Sequence, residues 1–244
     1  MNQWEYRAVL AVDIERSSGR GNVPQQRIRD ALFGALHSSV EASGVDWAAC
    51  HRHDLGDGLR LTLPSGVWKP RLIHPLVPTL ARRLREHNEG AEPNQRVRVR
   101  AALHAGDVRL GAEGEVTGRP LEVLSRMLDA AQLRAALVAA RQELTVALMV
   151  SQHFHEETVP HGYPGIASDS FHPVTLQEKE LTAPAWLHLP GAPPGPPPGA
   201  ADQDGPPPAE RPAGQARMIN LALGNGTVNA TQQGVQHIHL PRRD

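Results

Sequence analysis

The chain has 244 residues, room for one ordinary domain plus appendages, and its 40% hydrophobic and 21% charged content is diluted by 22 glycines and 22 prolines. A formal net charge of -1 argues against a general electrostatic grip on nucleic acid or on an anionic membrane. Cys50 is the single cysteine, so no intramolecular disulfide can form, and no apolar run approaches the roughly 20 residues of a membrane span. The N-terminal stretch lacks the basic and apolar regions of a signal peptide, and the expected setting is cytoplasmic.

Taken in chain order, Arg7 to Ile14 is an apolar, β-branched run that reads as a buried strand. A loop through Arg16 to Gly21 precedes a helix over Gln25 to His37, in which Ile28, Leu32 and Leu36 recur at helical spacing. Residues 48–63 read as a hairpin turning at Gly56-Asp57-Gly58. The prolines of 70–87 confine the next helix to the segment after Pro78. Val97 to His104 alternates as a strand, Gly106 to Gly118 reads as a turn region, and Pro120 to Leu137 as one helix with Pro at its start. Leu144 to Val150 is a further strand. The order β-α-β-β-α-β-α-β predicts an α+β sheet with helices against one face.

Composition changes after Leu189. Residues 190–214 are dominated by Pro and Gly and read as a disordered, extended linker. Residues 215–244 carry β-type alternation with Asn-Gly and Gln-Gly breaks, too short to bury much surface alone, and read as a small β tail that pairs with another chain. The folded domain is expected over 1–189.

Two carboxylates stand out. Asp13 closes the first strand, where a lone buried carboxylate costs several kcal/mol unless it is paired or metal-bound. Asp57 sits between two glycines at the hairpin tip, a position that turn preference alone also explains. Side by side, the two would form a divalent-metal site suited to phosphate chemistry. His153/His155 and His237/His239 each place two imidazoles on one face of a presumed strand, without a further ligand at a typical spacing. Arg96, Arg98 and Arg100 share one strand face, expected to be solvated or to form a dimer edge.

These residues resemble the class III nucleotidyl cyclase homology domain, the family of adenylyl and guanylyl cyclases. The likeness spans roughly residues 5–187 and rests on four segments in order: Asp13 to Ser18, His53 to Gly58, Arg98 to Val108, and Gly118 to Met127. It implies a ferredoxin-like α+β domain in which Asp13 and Asp57 hold two Mg2+ or Mn2+ ions on a nucleoside triphosphate. It implies that Ile14, Ser17 and Ser18 cradle phosphate and that Arg126 stabilises the transition state. His53 and Glu115 fall at base-selecting positions. Glu122 falls where the family carries its ribose-orienting asparagine. A head-to-tail homodimer follows from the same resemblance, with Asp13 and Asp57 from one chain and Arg126 from the other.

Two further readings stand beside an active cyclase. One is a catalytically degenerate cyclase fold that binds nucleotide or a partner without turnover, which Glu122 favours. The other is a signalling or defence protein of bacterial type whose tail recruits an effector protein. A serine hydrolase is not supported, since Ser17 and Ser18 lack a nucleophile elbow.

Overall fold

The computed structural model describes residues 3–112, 114–178 and 181–192. The expected linker from 193 onward and the β tail, with His237 and His239, lie outside the described residues.

The first strand, β1 (Gln3–Ile14), is longer than its apolar run, because Trp4 and Tyr6 continue the alternation toward the N-terminus. After it come α1 (Asn22–Ala42), β2 (His51–Asp54) and β3 (Gly58–Thr62). Then α2 (Pro70–Ile73) and α3 (Leu76–Glu89) precede β4 (Val99–Leu110) and β5 (Val116–Thr117). The prolines do not delay α3 to Pro78 as expected; Pro75 stands at its N-cap and Pro78 lies in the first turn, where a missing N–H costs no helical hydrogen bond. Next are α4 (Arg119–Asp129), α5 (Ala131–Ala139), β6 (Val146–Ser151) and α6 (Gln152–Glu156). A final hairpin, β7 (Phe171–Glu178) and β8 (Leu181–His188), was not legible in the alternation.

Among the described residues one eight-stranded sheet runs in the order β2-β3-β1-β4-β6-β8-β7, with β5 on β4. Its first half is ferredoxin-like: β3 and β4 both flank β1 antiparallel, and β2 pairs with β3 at the edge. β6 then joins β4 in parallel. The chain is thus the mixed α+β protein expected, but helices cover both faces of the sheet. Leu10, Val12 and Ile14 of β1 pack with Ile28, Leu32 and Leu36 of α1 and Leu80 and Leu84 of α3. Val9 and Ala11, on the opposite face, pack with Leu121, Leu124, Met127 and Leu133 of α4 and α5. A strand buried on both faces loses the polar alternation that would have advertised its second layer.

Two other expectations are corrected. The helix over 120–137 is broken at Ala130, whose ψ of 134 is extended and whose side chain is fully buried, so that α5 re-aims onto β6. The glycine-rich segment is strand as far as Leu110: Gly106 lies within β4, where an added Cβ would stand 2.8 Å from Pro120 Cγ. Gly106 is therefore a packing glycine that lets the start of α4 press on the sheet.

Candidate functional site

Strand pairing brings the two aspartates together. Asp13 is opposite Gly58 of β3 on one side and opposite Arg100 of β4 on the other. The Ile14 N–H donates to the Asp57 carbonyl at 3.1 Å, and the Ser17 hydroxyl donates to Asp57 Oδ2 at 2.8 Å. The tip is set by its own polar groups: Asp54 Oδ1 accepts from the Gly56 N–H at 2.8 Å, and Arg29 of α1 holds Asp54 at 2.8 Å. Gly58 is obligatory here, since an added Cβ would lie 2.1 Å from the Val12 carbonyl oxygen. Burial pushes the Asp13 carboxyl up to about 6; the Arg100 charge opposes that shift, and the negative charge of nearby Asp57 reinforces it.

Arg100 was expected on a solvated or dimer-edge face. Instead β4 is interior to the sheet, and the Arg100 guanidinium donates to Asp13 Oδ2. The other carboxylate oxygen, Asp13 Oδ1, is buried with no hydrogen-bond partner among the described residues, as is Arg100 Nε. An unsatisfied carboxylate oxygen beside a second carboxylate and a hydroxyl is an all-oxygen donor set, which fits hard divalent cations such as Mg2+ or Mn2+. Among the described residues no group of three or more His, Cys, Asp or Glu could hold a metal, so phosphate or water oxygens would complete the shell.

The segment after Asp13 is fixed by two arginines that sequence analysis did not single out for this task. Arg20 donates to the carbonyls of Glu15 at 2.7 Å, Arg16 at 2.7 Å and Arg96 at 2.6 Å, closing residues 15–20 into a tight loop. Arg98, 8% exposed, pairs with Glu15 at 3.4 Å and donates to the Leu137 and Leu144 carbonyls. Arg16 takes a φ of 50, a strained conformation for a side-chain-bearing residue, as the chain reverses toward α1. Ile14 is buried in the core and offers this loop only its backbone; Ser17 is committed to Asp57, while Ser18 is exposed.

His53 and Glu115, far apart in sequence, line one pocket of about 150 Å³ together with His51, Arg60 and Thr62. Glu122 and Arg126 occupy the outward side of α4, because Leu121, Leu124 and Leu128 take the inward side. Neither makes a hydrogen bond or ion pair with Asp13 or Asp57 among the described residues. The chain alone therefore assembles the carboxylate pair and the His53–Glu115 pocket, and leaves the α4 residues on its surface.

The histidine pair 153/155 is on α6, not on a strand. His153 Nε2 lies 2.6 Å from the Tyr6 hydroxyl, while His155 stacks on Trp186 with ring centroids 3.7 Å apart. Their rings thus serve different neighbours.

The fold recurs in solved structures. The adenylate/guanylate cyclase/hydrolase from Silicibacter pomeroyi aligns over 78% of this chain and 99% of its own, with a TM-score of 0.55 at 18% identity. The guanylyl cyclase Cya2 aligns over 76% and 91%, with a TM-score of 0.52 at 16% identity. The catalytic core of a rhodopsin-guanylyl cyclase with converted specificity, in complex with ATPαS, aligns over 77% and 98%, with a TM-score of 0.52 at 13% identity. The fold is that of a class III nucleotide cyclase catalytic domain. Neither a protein-family model nor a curated protein sequence matches the chain. On this cyclase fold the Asp13–Asp57 pair sits where β1 ends and the β2–β3 hairpin turns back, and no helix among the described residues is long and apolar enough to cross a membrane.

Proposed function

We propose that the chain is a nucleotidyl cyclase that converts a nucleoside triphosphate to a 3′,5′-cyclic nucleotide and pyrophosphate. The observation that carries this reading is the placement of Asp57 beside Asp13 at the end of β1, where the Ile14 N–H bonds the Asp57 carbonyl, with Asp13 Oδ1 left unpartnered among the described residues. Asp13 and Asp57 would hold two Mg2+ or Mn2+ ions. When bound, these ions neutralise triphosphate oxygens and favour the ionised ribose 3′ hydroxyl.

The chain's own groups do the rest. The loop after Ile14, pinned by Arg20, presents backbone N–H groups to the phosphates, with Ser17 and Ser18 beside them. Arg126, a permanent cation, stabilises charge on the reacting phosphate. Glu122 accepts from a ribose hydroxyl and orients it. Both belong to the outward side of α4, which supports a head-to-tail homodimer in which one chain supplies Asp13 and Asp57 and the other Arg126. One buried, unpaired thiol, Cys50, suits work in the cytoplasm.

A second reading has its own observation. The Arg100 guanidinium already neutralises Asp13, and Glu122 brings negative charge toward a triphosphate, which together favour a cyclase fold that binds nucleotide without turnover. In that case the tail, 215–244, would carry the output by recruiting an effector protein.

Complementation tests the shared site. Asp57→Ala and Arg126→Ala chains, each inactive alone, should regain part of the wild-type turnover when mixed. No recovery in a demonstrably mixed dimer contradicts it.

A further inference from the structure

Toward the N-terminal end of β1, about 23 Å along the strand from Asp13, Tyr6 borders a cavity of about 530 Å³ whose other walls come from the loop before α2 and the segment after α6. That volume is within the roughly 300–1,000 Å³ range of small-molecule sites. One wall is a polar cluster. Glu157 Oε2 takes every contact of that carboxylate among the described residues: Lys69 Nζ at 2.6 Å, the Tyr6 hydroxyl at 3.1 Å and His153 Nε2 at 3.3 Å. Glu157 Oε1 is left to accept from something else. Lys69 Nζ also lies 3.4 Å from the Tyr6 hydroxyl, so one of its three N–H groups is left over as well. A second wall is aromatic: Trp68 and Tyr163 meet edge to face with ring centroids 5.2 Å apart, and the His161 ring lies 5.7 Å from Tyr163. Trp68 nonetheless stays 51% exposed, so a ring laid on it would take apolar surface out of water.

We propose that this cavity is a second ligand site, separate from the Asp13–Asp57 end of the sheet, and that it takes an aromatic α-amino acid. Lys69 and Glu157 are one cation and one anion in contact, each more than half covered. A ligand of single charge would leave that charge uncompensated beside the pair, whereas a zwitterion cancels its own. An α-amino acid carries an ammonium and a carboxylate on one carbon. The ammonium donates to Glu157 Oε1, and the carboxylate accepts the spare N–H of Lys69. The side-chain ring then covers Trp68 and Tyr163. An amine without the carboxylate, or an acid without the amine, makes only one of the two charged contacts, and glycine makes both but leaves Trp68 bare. The inference does not rest on the nucleotide reading: none of the four segments that carry the cyclase resemblance contains a residue of this cavity.

Calorimetric titration of the full chain with L-phenylalanine, phenylacetate, phenethylamine and glycine tests this. L-phenylalanine is expected to bind at least about tenfold more tightly than each of the other three, the loss that follows when a charged hydrogen bond or an aromatic contact is missing. Glu157→Gln and Trp68→Leu, checked for folding by circular dichroism, are each expected to weaken phenylalanine binding about tenfold or more. Asp57→Ala is expected to bind it as the wild type does. Failure of L-phenylalanine to bind the wild-type chain, or binding that phenylacetate, phenethylamine or glycine matches, overturns the proposal whether or not the variants fold. Binding unchanged in both Glu157→Gln and Trp68→Leu, or lost in Asp57→Ala, places the ligand elsewhere and overturns it too, with the nucleotide reading untouched.

Discussion

Asp13 and Arg100 stand opposite each other across the β1–β4 pair, and the Arg100 guanidinium donates to the Asp13 carboxylate while the second carboxylate oxygen has no partner among the described residues. The aspartate that would bind metal is thus held by a protein cation on one oxygen and open on the other. Removing Arg100 leaves a carboxylate buried beside Asp57 with nothing to neutralise either.

Arg100→Met should therefore lower stability by about 3 kcal/mol, the range found when one partner of a buried pair is deleted. Mn2+ should restore more stability to this variant than it adds to the wild type, because the ion would take over the lost positive charge. Thermal unfolding with and without Mn2+ measures both effects. A variant indifferent to Mn2+ would mean that the pair is structural and does not bind metal.

Gly58→Ala should cost on the order of 2–3 kcal/mol, because its Cβ would meet the Val12 carbonyl oxygen at 2.1 Å and that oxygen is backbone. The hairpin would be pushed from β1, carrying Asp57 away from Asp13. The Mn2+ response should fall with stability. If Gly58→Ala unfolds like the wild type, the hairpin does not hold the site in the way the register implies.

His104 provides the pH test. Burial lowers its pKa from 6.5 to about 4, with the nearby His153 adding to the shift, and its Nδ1 lies 2.8 Å from the Ser151 hydroxyl. The unfolded chain takes up this proton below about pH 6.5 and the folded chain only near 4, so stability falls as pH drops through that window. The loss from this residue is on the order of 3 kcal/mol by pH 4. Half-buried His188 shifts in the same direction, so His104→Gln should flatten the slope without abolishing it. A denaturant midpoint with the same pH slope in the variant would show that His104 is not responsible.

Residues 190–214 carry an expectation from composition alone. Limited proteolysis should cut there first and release a stable fragment of about 1–189, and deletion of 190–244 should leave folding and nucleotide chemistry intact. Resistance of this segment to protease, or unfolding of the shortened chain, would place the tail within the folded unit.

How much of this was legible in the sequence depended on local signals. Asp13 and Asp57 could be found because each breaks a local rule: a charge closing an apolar strand, and an Asp between glycines at a hairpin tip. Arg60 was hidden by the same alternation that revealed β3, since an arginine between Leu59 and Leu61 looks like an ordinary solvent-facing position. Arg100 looked like one of three surface arginines, because the interior place of β4 in the sheet depends on β6 and β8 joining far along the chain. The second helical layer was missed for a related reason: the Ala-rich α5 shows little amphipathic contrast, and Ala130 interrupts the helix without Gly or Pro. Pro173 and Pro184, facing each other's strands in the last hairpin, masked β7 and β8 as loop.

The central claim is tested most directly by incubating the purified chain separately with ATP, GTP, CTP and UTP in the presence of Mn2+ and analysing the products by mass spectrometry. The account predicts a 3′,5′-cyclic nucleotide released with an equal amount of pyrophosphate, and loss of both in Asp13→Asn and Asp57→Ala. Absence of cyclic product from a folded, dimeric chain that binds nucleotide, or product that survives Asp13→Asn, would contradict it.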